Sequence, residues 1–247
     1  MARAFDGIDD YIDCGNVTGL NSVAAFTLTF WGQRSASNKR VQVAKHVDGS
    51  NRVNLLAHDD GVLYLLMCNG GSQFGTVSET STAMLHRAMV FDGSGIDNAT
   101  RLKGYVSGVA QTLSFTGTIQ ATTANLAAAN LTIGISTDEG VATGNIAEVA
   151  LWSAALSDAE IASLAKGFSP LFIRPESLID YWPLIGRFSP EIDVVGGMNG
   201  TLNSAPGAAA HPGILYPASP FIPEPSAGTV GAGLIESFLL ARRRLVA

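Results

Sequence analysis

Short runs of alternating apolar and polar residues, separated by Gly, Asn, Asp and Ser clusters, fill residues 3 to about 135. Alternation with a period of two predicts strands, and short strands with turn residues between them are typical of an antiparallel sandwich or barrel. Helical periodicity is nearly absent from this region. The predicted strands are Arg3–Phe5, Tyr11–Cys14, Phe26–Gln33, Arg40–Lys45, Asn51–Ala57, Val62–Met67, Leu85–Phe91, Leu102–Val106 and Leu131–Ile135.

A different pattern begins at Gly144, where nearly every residue up to Trp152 is apolar. Such a run predicts a central strand that is covered on both faces. Ser157 and Glu160 then stand at capping-box spacing ahead of an apolar helical run, which predicts a short helix over residues 157–166. A further strand is predicted at residues 178–184, and Pro183 restricts it to an edge or an end of a sheet.

The composition shifts at Ser204 to Pro, Ala and Gly, which predicts an extended arm over residues 204–230. Residues 231–247 predict a short helix with an apolar flank and arginines near its C-terminus. We therefore expect one sandwich domain over residues 1–203, with a core at 3–166 and an extension at 167–203, followed by an arm and a helix that docks on a neighbouring subunit. The predicted docking residues are Leu234, Ile235, Phe238, Leu239, Arg242 and Arg243.

Charge and cysteine content narrow the possible partners and location. The 247 residues carry a formal net charge of −6 and no basic face, so nucleic acid is not an expected partner. The 2 cysteines form neither a disulfide framework nor a metal motif. The sequence predicts no membrane span, and the N-terminus runs into the first predicted strand without an apolar targeting segment, so we expect no export by the general secretory route.

Five segments in order resemble the laminin-G-like jelly rolls of the concanavalin A-like lectin and glucanase superfamily. They are Phe5–Ile12 (FDGIDDYI), Phe26–Trp31 (FTLTFW), Val90–Gly95 (VFDGSG), Arg101–Gly108 (RLKGYVSG) and Gly144–Ser157 (GNIAEVALWSAALS). The resemblance implies an all-β, two-sheet antiparallel jelly-roll sandwich. Residues 178–217 look like an extension that a subset of these domains carries, among them bacterial and phage-encoded proteins.

The resemblance also implies a possible calcium site, formed by oxygens of the first and last strands. Asp9, Asp10 and Asp13 are the candidate ligands, although aspartates in turns are also ordinary solvated caps. The last strand has Ala147 where the family pattern leads one to expect a carboxylate. Calcium is therefore a possible ligand, and no cofactor is required.

The Glu191-Ile192-Asp193 segment resembles the opening of the catalytic strand of laminarinase-like glucanases. Retaining hydrolysis needs two carboxyl groups about 5 Å apart, one as nucleophile and one as acid. This chain has Gly196 where the closing glutamate of that motif should stand. The sequence therefore predicts a protein that is not an enzyme.

Glycan binding is the remaining candidate activity, and sandwich lectins use loop aromatics and polar loop residues for it. Asn69, Gln73, Asp97 and Asn98 are the candidate loop residues, whereas most aromatic residues alternate as core positions. We expect a non-enzymatic, lectin-like adhesion or structural module on a phage virion surface, anchored to other subunits by its arm and in contact with host glycans. The alternative is a secreted or cell-surface carbohydrate-binding protein or a glucanase-like hydrolase.

Overall fold

The computed structural model describes residues 1–36 and 38–217. Strands dominate this part of the chain, and the helices in it are short. The strands are β1 (Ala2–Asp6), β2 (Tyr11–Asp13), β3 (Ala25–Arg34), β4 (Val41–Asp48), β5 (Asn51–Ala57), β6 (Val62–Asn69), β7 (Phe74–Ser78), β8 (Leu85–Asp92), β9 (Leu102–Val106), β10 (Val109–Gln111), β11 (Ser114–Thr116), β12 (Leu131–Ile133), β13 (Ile135–Ser136), β14 (Gly140–Val141), β15 (Thr143–Trp152), β16 (Leu178–Trp182), β17 (Thr201–Asn203) and β18 (Gly207–Ala209). The helices are α1 (Asn98–Arg101), α2 (Asp158–Ala165) and two 3₁₀ turns at Thr18–Leu20 and Pro170–Phe172.

Two antiparallel sheets pack face to face, which confirms the predicted jelly-roll sandwich. The first sheet has the order β10-β9-β8-β3-β15-β1-β18, with β16 also paired to β15. The second sheet has the order β11-β7-β6-β5-β4-β12-β2-β17. The main core lies between them, because alternate residues such as Phe26, Leu28 and Phe30 of β3 point inward and are fully buried.

A second apolar cluster covers the outer face of the first sheet. It joins Ala150 and Trp152 of β15 to Ile161 and Leu164 of α2 and to the extension that follows. Ser157 caps α2 as predicted, since its side chain accepts from the Glu160 N–H while Glu160 bonds back to Ser157. The extension and α2 therefore close this face of the first sheet.

Strand β15 lies near the centre of the first sheet, and two strands share the edge opposite β3. β3 lies along one edge, while β1 pairs with residues 143–146 and β16 with residues 149–152 on the other. A bulge separates the two halves and places Glu148 at φ +55°. The pairing of β15 with β3 begins at Gly144, where a Cβ would lie 2.0 Å from the carbonyl oxygen of Gln33.

The structure extends the predicted organisation in two places. The loop between β8 and β9 contains the four-residue helix α1, where the sequence predicted no helix. Residues 207–209 of the predicted arm pair with β1, so the sandwich reaches past the boundary predicted at residue 203. Small Gly and Ala side chains fit beside β1, and the Arg3 guanidinium donates to the Pro206 carbonyl at 2.8 Å. Residues 218–247, which include every predicted docking residue, lie outside the described residues.

Candidate glycan-binding face

Three aromatic rings form a row on the outer face of the second sheet. The ring centroids of His58 and Tyr64 are 5.4 Å apart, and those of Tyr64 and Phe74 are 5.8 Å apart. All three side chains are partly exposed. We call this row the aromatic platform.

The strand register explains how the platform forms. His58 follows β5 at the turn into β6, Tyr64 lies on β6, and Phe74 begins β7. Tyr64 pairs with Thr76, so Phe74 is its diagonal neighbour on the same face, within reach of an aromatic side chain. On the far side the Thr76 hydroxyl donates to the Ser114 carbonyl at 3.3 Å, which places polar groups beside the rings.

Carboxylates surround the His58 end of the platform. Asp60 accepts a hydrogen bond from the Tyr64 hydroxyl at 2.9 Å and is exposed. His58 lies 2.8 Å from Asp59 through Nδ1 and 3.7 Å from Glu139 through Nε2. Asp59 and Glu139 also line an open cleft of about 380 Å³, whose other lining residues include Lys39, Arg40 and Asp138.

The hairpin of β13 and β14 supplies one wall of this cleft and folds over β4. The Gln42 side-chain amide donates to the Gly140 carbonyl at 2.6 Å, which holds the hairpin down. Arg52 reaches Asp138 at 3.4 Å and Glu139 at 3.1 Å from the outer face of the sheet. The hairpin therefore covers β4 and β5, while the Tyr64 and Phe74 side of the face stays open.

The glycan residues predicted from the sequence hold loops together in this structure. The Gln73 side chain accepts from the Asn69 N–H at 2.8 Å, and the Asn69 side chain donates to the Thr122 carbonyl at 3.1 Å. Asp97 caps α1, and Asn98 donates to the Gly117 carbonyl at 2.9 Å. Asn69 and Asn98 thus tether residues 117–122, and glycan binding by the four predicted residues stays a prediction.

The N-terminal aspartates are grouped differently from the predicted set. Asp6, Asp9 and Asp10 can each offer one oxygen within 4.8 Å of the others. Asp10 also accepts from the Asp6 N–H at 3.1 Å and the Ala205 N–H at 3.0 Å, and burial raises its pKa. Asp13 lies outside this group, because its carboxylate accepts from the Gly15 N–H and from the Asn130 side chain.

The hydrolase-like segment is buried and fully engaged. Glu191 is 1% exposed and ion-paired with Arg3 at 2.5 Å, and burial raises its pKa. Asp193 is 3% exposed and accepts four backbone N–H bonds, from residues 181, 195, 196 and 198. A side chain at Gly196 would place its Cβ 2.3 Å from Asp180 Oδ1, so the glutamate of the glucanase motif does not fit there.

Glu148 is the centre of a buried polar network that the sequence did not reveal. Its carboxylate accepts from the Tyr181 hydroxyl at 2.5 Å and from the Tyr216 hydroxyl at 2.7 Å, and His211 Nε2 lies 3.2 Å away. Burial is the largest single effect on His211 and opposes its protonation, but the hydrogen bond to Glu148, the charge of Glu148 and the carbonyls of Pro183 and Pro212 together outweigh burial and raise the pKa of His211. The network fastens residues 211–216 to the bulge of β15.

Comparisons with known proteins agree on the fold. The family model described as "Concanavalin A-like lectin/glucanases superfamily" matches residues 6–162, more than half of the chain. A Bacteroides ovatus protein whose name assigns it to carbohydrate binding is 20% identical with a TM-score of 0.57, covering 84% of this chain and 61% of that one. The NanB sialidase of Streptococcus pneumoniae is 15% identical with a TM-score of 0.50, covering 65% and 27%.

A pentraxin from Limulus polyphemus is 16% identical with a TM-score of 0.46, covering 66% of this chain and 81% of that one. No curated protein matches this chain. At these identities the two structures with TM-scores of 0.50 and above show the fold alone. Among the described residues, no helix has the length and apolar character needed to cross a bilayer.

Proposed function

This chain belongs to the concanavalin A-like lectin/glucanase superfamily, and we propose that it is a non-catalytic carbohydrate-binding module. The observation that carries the proposal is the aromatic platform of His58, Tyr64 and Phe74 on the open part of the second sheet. Aromatic rings supply flat apolar area, and nearby polar groups such as Thr76 and Asp60 supply hydrogen bonds to hydroxyls. A glycan chain would lie along the row.

A glycan array with the full chain tests the proposal, followed by titration of the best ligand. Removing one stacking ring, in Tyr64→Ala or Phe74→Ala, should weaken binding about tenfold, since an aromatic contact contributes roughly 0.5–1.5 kcal/mol beyond its buried area. Phe172→Ala is the matched control, because Phe172 is 43% exposed on the 3₁₀ turn of the extension, away from the platform. Unchanged affinity in both platform variants would refute the site, and an array without hits would refute the function.

The buried state of the hydrolase-like carboxylates supports a non-catalytic role. Glu191 is held by Arg3, and Asp193 is enclosed by backbone N–H groups, so neither carboxylate faces an open cleft where a glycosidic bond could enter. Incubation with β-glucans should release no reducing sugar. Release that disappears in Glu191→Gln would establish a glycoside hydrolase instead.

The finer proposal places the module on a phage virion, held to neighbouring subunits by its C-terminal segment. It is supported by the sequence of residues 231–247, with an apolar flank and Arg242 to Arg244 near its end. Deletion of residues 218–247 should abolish incorporation into particles while the sandwich still folds. Particles that retain the truncated protein would contradict the anchoring role.

A further inference from the structure

We propose that the aromatic platform selects neutral or amino sugars and rejects glycans that end in a sialic or uronic acid. This inference rests on the proposed glycan-binding function and names its ligand class. It follows from the charges at the His58 end of the row.

Asp60 is the carboxylate closest to the open rings. One oxygen accepts from the Tyr64 hydroxyl at 2.9 Å and the other from the Val62 N–H at 3.0 Å, so the charge is fixed at the edge of the Tyr64 ring. The Asp60 side chain is 42% exposed. Its ion-pair contact, at 3.2 Å, is with His58, and the imidazole of His58 is charged only when protonated. A ligand carboxylate stacked on Tyr64 would meet this charge directly.

The arginines beside the platform are already paired with carboxylates. Arg40 is bonded to Asp59, and Arg52 contacts both Asp138 and Glu139. Lys39 is exposed in the neighbouring cleft, where it faces a wall that also contains three of these carboxylates. A sugar carboxylate would therefore compete with an existing carboxylate partner for either arginine, whereas recognition of a carboxylate normally uses a bidentate arginine.

The other side of the platform favours hydroxyl-rich ligands. Thr76 and Ser114 are partly or fully exposed next to Phe74, and Asp60 retains lone pairs that can accept from a hydroxyl or an ammonium group. Two like charges roughly 5 Å apart at a protein surface repel enough to lower affinity about tenfold. The same distance would strengthen binding of a protonated amino sugar by a similar factor at low salt.

The test uses the full chain on an array that presents each core glycan with and without a terminal sialic or uronic acid, together with chitosan oligosaccharides as the amino-sugar probe. Neutral cores should bind about tenfold better than their acidic counterparts, and Asp60→Asn should remove that difference. Asp48→Asn is the control, because Asp48 is an exposed carboxylate at the opposite end of β5, roughly 20 Å along the strand.

The outcomes separate this inference from the function beneath it. Acidic glycans that bind as well as neutral ones, through a site that Tyr64→Ala weakens, would overturn the ligand class and leave the module a lectin. An unchanged preference in Asp60→Asn would overturn the role of that carboxylate. An array without any hits would overturn both proposals.

Discussion

Replacing Asp180 by Asn should make the protein more stable at neutral pH. Asp180 is 5% exposed on β16, and its carboxyl group shares a hydrogen bond with Asp193. Because Asp193 already accepts four backbone N–H bonds, the shared proton belongs on Asp180. Burial, with Asp193 adding to it, raises the pKa of Asp180 from 3.8 to about 7.

The sign and size follow from that shift. A pKa raised in the folded state means that the unfolded chain ionises first, so stability is full below about pH 3.8 and falls as pH rises to about 7. Each pKa unit corresponds to about 1.4 kcal/mol, which sets a ceiling of roughly 4 kcal/mol over this range. Asn keeps a donor for Asp193 but cannot ionise, so Asp180→Asn should avoid this loss.

Urea unfolding of both proteins between pH 4 and 7.5, followed by tryptophan fluorescence, measures the effect. Their difference in unfolding free energy should be small at pH 4 and grow to about 2 kcal/mol or more in favour of the variant at pH 7. Taking the difference cancels other groups. Burial lowers the pKa of His86 to about 3, so the contribution of His86 to stability rises with pH up to about 6.5, opposite to that of Asp180. Burial also lowers the pKa of Lys45 to about 8, which affects stability only at higher pH.

A difference that stays constant with pH would refute the shared-proton arrangement. Asp48→Asn serves as the control, because hydrogen bonds from Asn51 and Ser50 lower the pKa of this exposed group. The contribution of Asp48 is present above its unfolded pKa and is lost as pH falls, which is the opposite direction.

Two further predictions concern the C-terminal boundary and calcium. A chain that ends at residue 217 should unfold at the same urea midpoint as the full chain. A chain that ends at residue 203 should lose about 3 kcal/mol of unfolding free energy, because Glu148 would stay buried without Tyr216 and His211. Equal midpoints for both truncations would contradict this prediction. If Asp6, Asp9 and Asp10 bind calcium, the ion at a hundredfold its Kd should stabilise the chain by about 2.7 kcal/mol, and Asp9→Asn should remove the gain. A melting temperature that calcium leaves unchanged would exclude this site.

Alternation along the chain predicted β1 to β6, β8, β9 and β12, because their core-facing residues repeat with period two. It located Asn51–Ala57 and Leu102–Val106 with their observed bounds. It missed β7 and β11, since Phe74–Ser78 and Ser114–Thr116 are rich in Gly, Ser and Thr and have few apolar residues to mark a face.

The candidate site was harder to predict, for a physical reason. Alternation assigns residues to two faces but does not show which outer face another segment will cover. Tyr64 alternates with Leu63 and Leu65 like any core position, and only the sheet order shows that it points outward. The sequence also gives no signal for the bulge at Glu148, because the bulge lies where the partner along one edge of β15 changes from β1 to β16. The Asp97 spacing to Thr100 is a capping signal that could have revealed α1.

The extension packs on the outer face of the first sheet. Its residues Tyr181 and Val194 belong to the same apolar cluster as α2 on the outer face of the first sheet. Asp193 and Glu191 of the hydrolase-like segment help to hold the extension there, through the Tyr181 N–H and the Arg3 guanidinium. A buried apolar cluster occupies much of that face, and each of its large side chains contributes roughly 1.5–3 kcal/mol. On the second sheet, Tyr64 and Phe74 stay partly exposed because the β13–β14 hairpin stops over β4 and β5. The acidic residues that resemble a catalytic motif in the sequence thus help to hold the extension on one face, and the binding site that we propose is the aromatic platform on the other.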